Sequence, residues 1–548
     1  MEMRGGEFMD DRKRRMVFWA IFLFAVTVRC IGFGSVPGGV NQDEAMGAVD
    51  GWALAQYGTD RYGVRLPVHF SAWQVSQMSV LLSYCMIPFI RLLGFNTVAV
   101  RLPALLISCA GVALVYLTGK KLFDERLALA AMALTAVNPW HFMQSRWALD
   151  CNLFPHVFLL AFYLLLLGLE KRRYLYLSML FFGLTFYCYG IAVYSVIPFL
   201  VVYAGWCLWK RQLRFREILP CVLIFGAVAL PELLVMAINL FHWDTMETPL
   251  FTMSHFPETT RGNDILFLNF SFAQLGRNIW AAVRSCFLQL PDHLFNTLPA
   301  FGPLYHISIP FMAAGIAGFT RDLFWEKEIG KKTRMLALWG FLVTGVWVGL
   351  ITFEVNVNRI NLIFYPLIFM CGYGLRMAGR FWGRHFPGKN PSGGERSGNG
   401  FRMAAAVAYA LCFALFLGVY FTSFRKEIKT YFNVNFLEAV EQADEMEGYE
   451  RLYITGNMDW QYNLSMAEIL TQYACGIDAL YFQGITDVTG GRELLPYSER
   501  YHYINVAYLT EADAEGLYLF HVSELDRVPF DTEVIRELGQ YALVVPQS

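Results

Sequence analysis

The sequence predicts an all-α polytopic membrane domain of about eleven transmembrane helices, followed by a small extracytoplasmic α/β domain at its C-terminal end. Three observations predict it. First, 56% of the 548 residues are hydrophobic and only 16% are charged, against about 25% in ordinary soluble domains; mean hydropathy is +0.39. Too little polar surface remains to cover the apolar atoms, so a bilayer must cover them. Second, apolar runs of spanning length recur up to residue 421. Third, the composition changes after about residue 423, where short β-type runs replace the long apolar ones. A net charge of −1 gives no reason to expect nucleic-acid binding.

The elements follow in order. Residues 1–15 end in Asp10-Asp11-Arg12-Lys13-Arg14-Arg15 and read as a cytoplasmic N-terminus. The apolar run from Met16 to about Gly34 is long enough to span, since a span needs about 20 residues. No small-residue cleavage site follows, so it reads as a helix and not a signal peptide. Further runs lie at about 98–118, 127–143, 153–169, 174–189, 191–209, 218–238, 306–320, 335–353, 359–378 and 403–421. The stretch Met78 to Leu93 reads either as a span or as an amphipathic surface helix, and charge decides between them. If it stays on the outer surface, then Lys120-Lys121, Lys171-Arg172-Arg173, Lys210-Arg211, Lys331-Lys332 and the cluster from Arg376 to Arg402 all face the cytoplasm. If it crosses, every cluster changes side and the positive-inside rule fails throughout. The outer segments are then 35–97, 144–152, 239–305 and 354–358, together with the tail. The Gly-rich basic stretch Arg380–Arg402 reads as a cytoplasmic linker. The domains expected are therefore a transmembrane unit over 16–421 and an extracytoplasmic α/β unit over 422–548, with strands at Arg451–Thr455, Ile504–Leu509, Leu517–His521 and Tyr541–Val545. The 11 cysteines lie mostly in apolar runs with no CxxC pair and no zinc-ligand spacing, so they read as buried thiols and no metal site is assigned.

The chemistry-bearing residues gather in the outer segments. Pro37-Gly38-Gly39 breaks the chain after the first span, and Asp43-Glu44 open a helix predicted to run to about Gln56. Asp43 has two readings. It can cap that helix, where negative charge is favoured, or it can accept a proton from an incoming hydroxyl or amine just beyond the bilayer. Asp50, seven residues on and on the same helix face, could be a second ligand but reads more plainly as a solvated position. After a turn at Gly58–Gly63, the cations Arg61, Arg65 and His69 suit an anionic headgroup, either a substrate's or an ordinary lipid's. The second segment holds His141, Arg146 and Asp150. Charges at that depth are functional or paired, and an Arg146–Asp150 helical pair is the plainer alternative. Asn358-Arg359 sit at another outer helix end, and Glu232 reads as an interfacial residue reaching water. Trp52, Tyr57, Tyr62 and Trp73 suit an interfacial aromatic belt.

Together, PGGVNQDEA after the first span, GTDRYGVRLP, LLGFNTVAVRLPALL, NPWHFMQSR with LD, and VNRI resemble the GT-C membrane glycosyltransferases of the protein mannosyltransferase and aminoarabinose transferase type, family 39-like, over roughly residues 16–380. The resemblance implies a polyprenyl-phosphate-linked sugar as donor, an extracytoplasmic acceptor, and transfer by one inverting displacement. It implies Asp43 as the catalytic acidic residue, with Glu44 as the second member of the pair. Asp150 matches the acidic position of the second outer loop and Arg146 the arginine before it; Arg359, Arg61 and Arg65 are candidates for the lipid phosphate, with His69 and His141 beside the substrate. The first outer loop has no lysine, which speaks against aminoarabinose as the sugar. No cofactor is required, because phosphate leaves readily and arginines offset its charge; a divalent metal is left open. Two other classes fit a multi-pass envelope protein: a transporter or flippase of lipid-linked glycans, and a non-catalytic scaffold. A transporter should carry charges within its spans or paired broken helices, whereas these charges collect at outer helix ends.

Overall fold

The structure is a computed structural model describing residues 11–73, 76–257, 265–266, 270–353, 355–386 and 393–547. Helix α1 (Asp11–Cys30) leads into α2 (Gln42–Tyr57), and a hairpin of β1 (His69–Ala72) and β2 (Ser76–Ser79) follows. Then come α3 (Leu81–Leu93), α4 (Thr97–Leu122), α5 (Glu125–Ala136), α6 (Pro139–Gln144), α7 (Asp150–Gly168), α8 (Arg172–Leu184), α9 (Ala192–Trp209) and α10 (Phe215–Phe241). A small pair, β3 (Met246–Glu247) and β4 (Thr252–Met253), precedes α11 (Phe272–Cys286). Helices α12 (Ile309–Trp325), α13 (Ile329–Ile351), α14 (Phe364–His385) and α15 (Gly393–Val419) complete the bundle.

Among the described residues, seven helices are long and apolar enough to cross a membrane: those over Thr97–Leu122, Asp150–Gly168, Ala192–Trp209, Phe215–Phe241, Ile329–Ile351, Asn361–His385 and Gly398–Tyr431. This is a multi-pass membrane protein. The other four expected spans correspond to α1, which begins in the charged run, and to the shorter α5, α8 and α12. The run expected over 127–143 is broken at Asn138. Pro139 lacks the N–H that a continuous helix needs, and the Asn138 side chain accepts the His141 N–H to start α6 afresh. Helix α3 has 13 residues, about 20 Å at 1.5 Å per residue, too short for a hydrocarbon core of about 30 Å. Leu82, Met86 and Ile90 pack it into the main core instead.

The basic clusters expected on one side do share one end of the bundle. There Arg14 pairs with Glu125, Lys121 with Glu170, Arg172 with Glu217 and Arg376 with Asp124. The expected linker Arg380–Arg402 is only partly a linker. Residues 387–392 lie outside the described residues, and α15 already begins at Gly393. The glycines serve packing: a Cβ at Gly398 would meet the Gly379 carbonyl of α14 at 2.9 Å, so small residues let the two backbones approach.

Two arginines are completely buried at helix ends. Arg29 donates to the carbonyls of Thr135 and Ala136 at the end of α5, and Arg146 donates to those of Arg29, Gly32 and Val36 where α1 finishes. The last carbonyls of a helix lack intrahelical partners and carry its negative pole, so each guanidinium closes a helix and is offset by it.

Beyond α15 the chain continues through α16 (Arg425–Tyr431) and α17 (Val434–Asp444), then β5 (Arg451–Thr455), α18 (Leu464–Ala474) and α19 (Ala479–Phe482). A hairpin of β6 (Val488–Thr489) and β7 (Arg492–Glu493) and the short α20 (Tyr497–Arg500) lead to β8 (Tyr501–Ile504), β9 (Gly516–His521), β10 (Thr532–Leu538) and β11 (Tyr541–Pro546). The sheet order is β10-β11-β9-β5-β8, with β5 parallel to both neighbours and β9-β11-β10 antiparallel. The expected strand at Ile504–Leu509 lies earlier, at Tyr501–Ile504; Asn505 instead caps a short 3-10 turn over Val506–Tyr508. One hydrophobic core joins this sheet to the segment after α1: Ala45, Met46, Val49 and Leu54 of α2 pack with Phe436, Val440, Leu470 and Leu543.

Candidate functional site

The site begins at the turn after α1. Asn41 is the cap of α2, and its side chain accepts the Asp43 N–H at 3.1 Å. The capping role considered for Asp43 is thus filled by Asn41. Asp43 sits half-buried in the first turn of α2, where the positive helix pole favours a carboxylate. Its neighbour Glu44 points the other way and is completely buried. Arg101 of α4 grips both Glu44 oxygens at 2.7 Å, and the Ala148 N–H donates to Oε1 at 2.7 Å. The remaining guanidinium hydrogens of Arg101 reach the Pro37 and Gly39 carbonyls at 2.7 and 2.8 Å. This clamp fixes the turn, the start of α2 and the approach to α7 against one another.

Asp150 is the first residue of α7, and its Oδ1 accepts the Cys151 N–H at 2.7 Å. Arg359 lies in the segment between α13 and α14, which is held by Asn356 Oδ1 accepting the Arg359 N–H at 3.0 Å and by Asp292 Oδ2 accepting the Val357 N–H at 2.6 Å. Asn361 Nδ2 donates to the Cys151 carbonyl at 2.6 Å, which ties this segment to the start of α7. With the Ala148 N–H on Glu44, the start of α2, the start of α7 and the segment that carries Arg359 are thereby linked to one another.

Residues 78–236 match the family described as dolichyl-phosphate-mannose-protein mannosyltransferase. The structure of ArnT from Cupriavidus metallidurans, solved bound to undecaprenyl phosphate, is similar with a TM-score of 0.52 at 12% identity, over 97% of both chains. The chain has the GT-C fold. The Archaeoglobus fulgidus oligosaccharyltransferase, solved tethered to an acceptor peptide containing the NVT sequon, is similar with a TM-score of 0.53 at 12% identity, over 95% of this chain and 70% of that one. No curated protein matches in sequence. The resemblance to family 39-like GT-C membrane glycosyltransferases read from the motifs is therefore met by a family match and by a fold likeness along nearly the whole chain.

Within the GT-C fold several of the expected residues face other tasks. Asp50 is not solvated: it is fully buried, with Arg61 donating to Oδ2 at 2.6 Å and the Arg61 N–H to Oδ1 at 3.1 Å. The guanidinium of Arg61 also reaches the Ser71 carbonyl at 2.9 Å. Asp60 lies alongside and accepts the Tyr62 and Val64 N–H groups; burial, then the charge of Asp50, push its carboxyl up to about 7. Arg61 therefore holds the turn together, while Arg65 stays exposed. His69 and Glu232 are both buried, with Nε2 and Oε2 2.6 Å apart, so Glu232 anchors the loop after α2 to α10 and does not reach water. Arg146 pairs with backbone carbonyls and not with Asp150. His141 belongs to a buried chain. Arg29 can only donate, so His141 accepts at Nδ1 (2.9 Å) and donates from Nε2 to Tyr365 (3.1 Å). Tyr365 in turn donates to His156 Nδ1 (2.6 Å), whose other nitrogen lies 3.1 Å from Ser108.

Sequence reasoning missed Arg101 and Arg29, both lone cations inside or ending apolar runs. Ionisable residues within spans are functional or paired by default, and that signal was available for each.

Proposed function

We propose that the protein is a membrane glycosyltransferase that moves a sugar from a polyprenyl-phosphate carrier to an extracytoplasmic acceptor, with Asp43 as the base. The observation that carries the reading is the clamp. Glu44, held by Arg101 and the Ala148 N–H, fixes the start of α2 that carries half-buried Asp43, and Asn361 ties the Arg359 segment to the start of α7 that carries Asp150. In the reaction the acceptor's oxygen or nitrogen attacks the anomeric carbon as its proton passes to the Asp43 carboxylate. The bond from that carbon to phosphate oxygen breaks, the configuration inverts, and the lipid phosphate departs with the electron pair. Arg359 offsets the charge that develops on the phosphate, and Asp150 orients the acceptor. Glu44 is a positioning residue, since it is fully buried and its carboxylate is engaged by Arg101 and the Ala148 N–H. The likeness to ArnT bound to undecaprenyl phosphate and to the oligosaccharyltransferase tethered to an acceptor peptide supports the donor and acceptor classes. The N-terminus and the basic end face the cytoplasm in this reading, and the Asp43 end and the C-terminal sheet face outward, as the lysine distribution favours.

The test is Asp43→Asn in purified protein with a defined lipid-linked sugar. Asn keeps the shape but cannot take the proton, so donor binding should persist while transfer falls about 10²–10⁴-fold. Full transfer by this variant would remove Asp43 from the chemistry.

A further inference from the structure

Helix α11 is amphipathic in the reverse sense. Its polar side chains point inward: Gln274, Asn278 and Ser285 are buried. Gln274 Nε2 donates to the Phe353 carbonyl at 2.6 Å, and Asn278 Nδ2 donates to those of Leu350 and Thr352 at 2.9 and 2.6 Å. These carbonyls close α13 and would otherwise lack partners. Ala282 lies against Gly349, where an added Cβ would meet it at 3.6 Å. Helix α11 therefore crosses the last turn of α13, which is long and apolar enough to span a membrane.

Its outward face is apolar. Phe272 is 81% exposed, Trp280 57% and Ile279 47%, with Leu275 and Val283 partly exposed beside them. Positions 272, 275, 279 and 283 recur at the spacing of one helical face, and Arg277 and Arg284 border it. Fifteen residues give about 22 Å at 1.5 Å per residue, too short to span. An apolar stripe with aromatic side chains, edged by arginines and fixed across the last turn of α13, has the pattern of a helix lying in the membrane interface.

We propose that α11 is an interfacial anchor: its Phe272–Leu275–Ile279–Trp280–Val283 face is seated among the acyl chains of the leaflet on the Asp43 side, with Arg277 and Arg284 at the headgroup phosphates. The partner is the bilayer itself. Because α11 holds the carbonyls of Leu350, Thr352 and Phe353, and Asp292 just beyond it holds Val357, the leaflet surface sets the height of the segment that carries Arg359.

The test places single reporters by Arg277→Cys, Ile279→Cys, Trp280→Cys and Val283→Cys in the full chain with its native cysteines replaced. The protein is reconstituted in vesicles of phosphatidylcholine and phosphatidylglycerol. Spin labels at 279 and 283 should collide with oxygen in preference to a water-soluble nickel complex, with the preference falling at 280 and again at 277. A bimane label at 279 should be quenched by lipids brominated in the acyl chain, which gives the same reading should a spin label disturb the helix. Preference for the nickel complex at every position would place the face in water and overturn the proposal. Labels closed to both reagents would place a protein partner or a second copy there and overturn it equally. Neither reading depends on whether sugar is transferred.

Discussion

Replacing Glu44 with Gln probes the clamp that sets Asp43. Glu44 is fully buried and accepts three bonds at 2.7 Å, two from Arg101 and one from the Ala148 N–H. The amide keeps one oxygen and turns an NH2 toward a guanidinium that only donates. Arg101 keeps its bonds to the Pro37 and Gly39 carbonyls but loses its counter-charge. Breaking a buried ion pair from one side costs about 3–5 kcal/mol, and part of that will be relieved by movement of the α2 start. A displacement of about 1 Å at a reacting group costs on the order of 10²-fold in rate. Glu44→Gln should therefore lower the thermal midpoint of the detergent-purified protein and reduce transfer less than Asp43→Asn does. The assay is a double-mutant cycle with Arg101→Gln, read by thermal unfolding followed by size exclusion. The double variant leaves no uncompensated charge, so it should be less destabilised than the sum of the two singles by about 1 kcal/mol or more. Additive losses, or a Glu44→Gln protein as stable as the parent, would refute the reasoning.

Arg359→Ala should weaken donor binding measured with a lipid-linked sugar; Lys should rescue only in part, since it lacks the planar fork, and unchanged affinity in Arg359→Ala would dismiss the residue. Burial and then the charge of Asp50 push the Asp60 carboxyl up to about 7 in the folded protein, against about 3.9 unfolded. The folded state holds the extra proton between those values, so stability should fall as pH rises from about 4 to about 7 and stay lowest above it. Asp60→Asn should flatten that slope in thermal midpoints measured from pH 5 to 8, and an unchanged slope would exclude Asp60 as its source. A single cysteine at position 390 should resist an impermeant reagent added from outside, whereas one at Arg65 should react; the reverse pattern would invert the orientation.

Much of the architecture was readable because it follows from local pattern. Seven of the eleven apolar runs coincide with helices of spanning length, the basic clusters share one end, and Met78–Leu93, which the charge distribution kept from crossing, forms a helix of only 13 residues. Asp43 was singled out as a charge at a helix start and occupies the first turn of α2, whereas Asp150, read as part of the short second segment, opens α7. What local pattern could not show was who partners whom. Asp50 has the spacing of a solvated helix position, and only the fold-back of the Gly58–Gly63 turn brings Arg61 over it. His69 and Glu232 meet across 163 residues, and Arg146 reaches back to carbonyls whose availability depends on where α1 stops. In α11 the sequence contains an apolar stripe, but which face turns inward is decided by the end of α13.

The core shared by α2 and the C-terminal sheet has a consequence for biogenesis. Asn41 donates to the carbonyl of Tyr431, 390 residues later, and α2 buries its apolar side against residues beyond it. Chains are synthesised at about 5–20 residues per second, so the loop bearing Asp43 waits roughly 20–80 seconds for the surface that seats it. Until then its apolar side is open to chaperones and proteases. A chain cut before Tyr431 would lack the surface that seats α2.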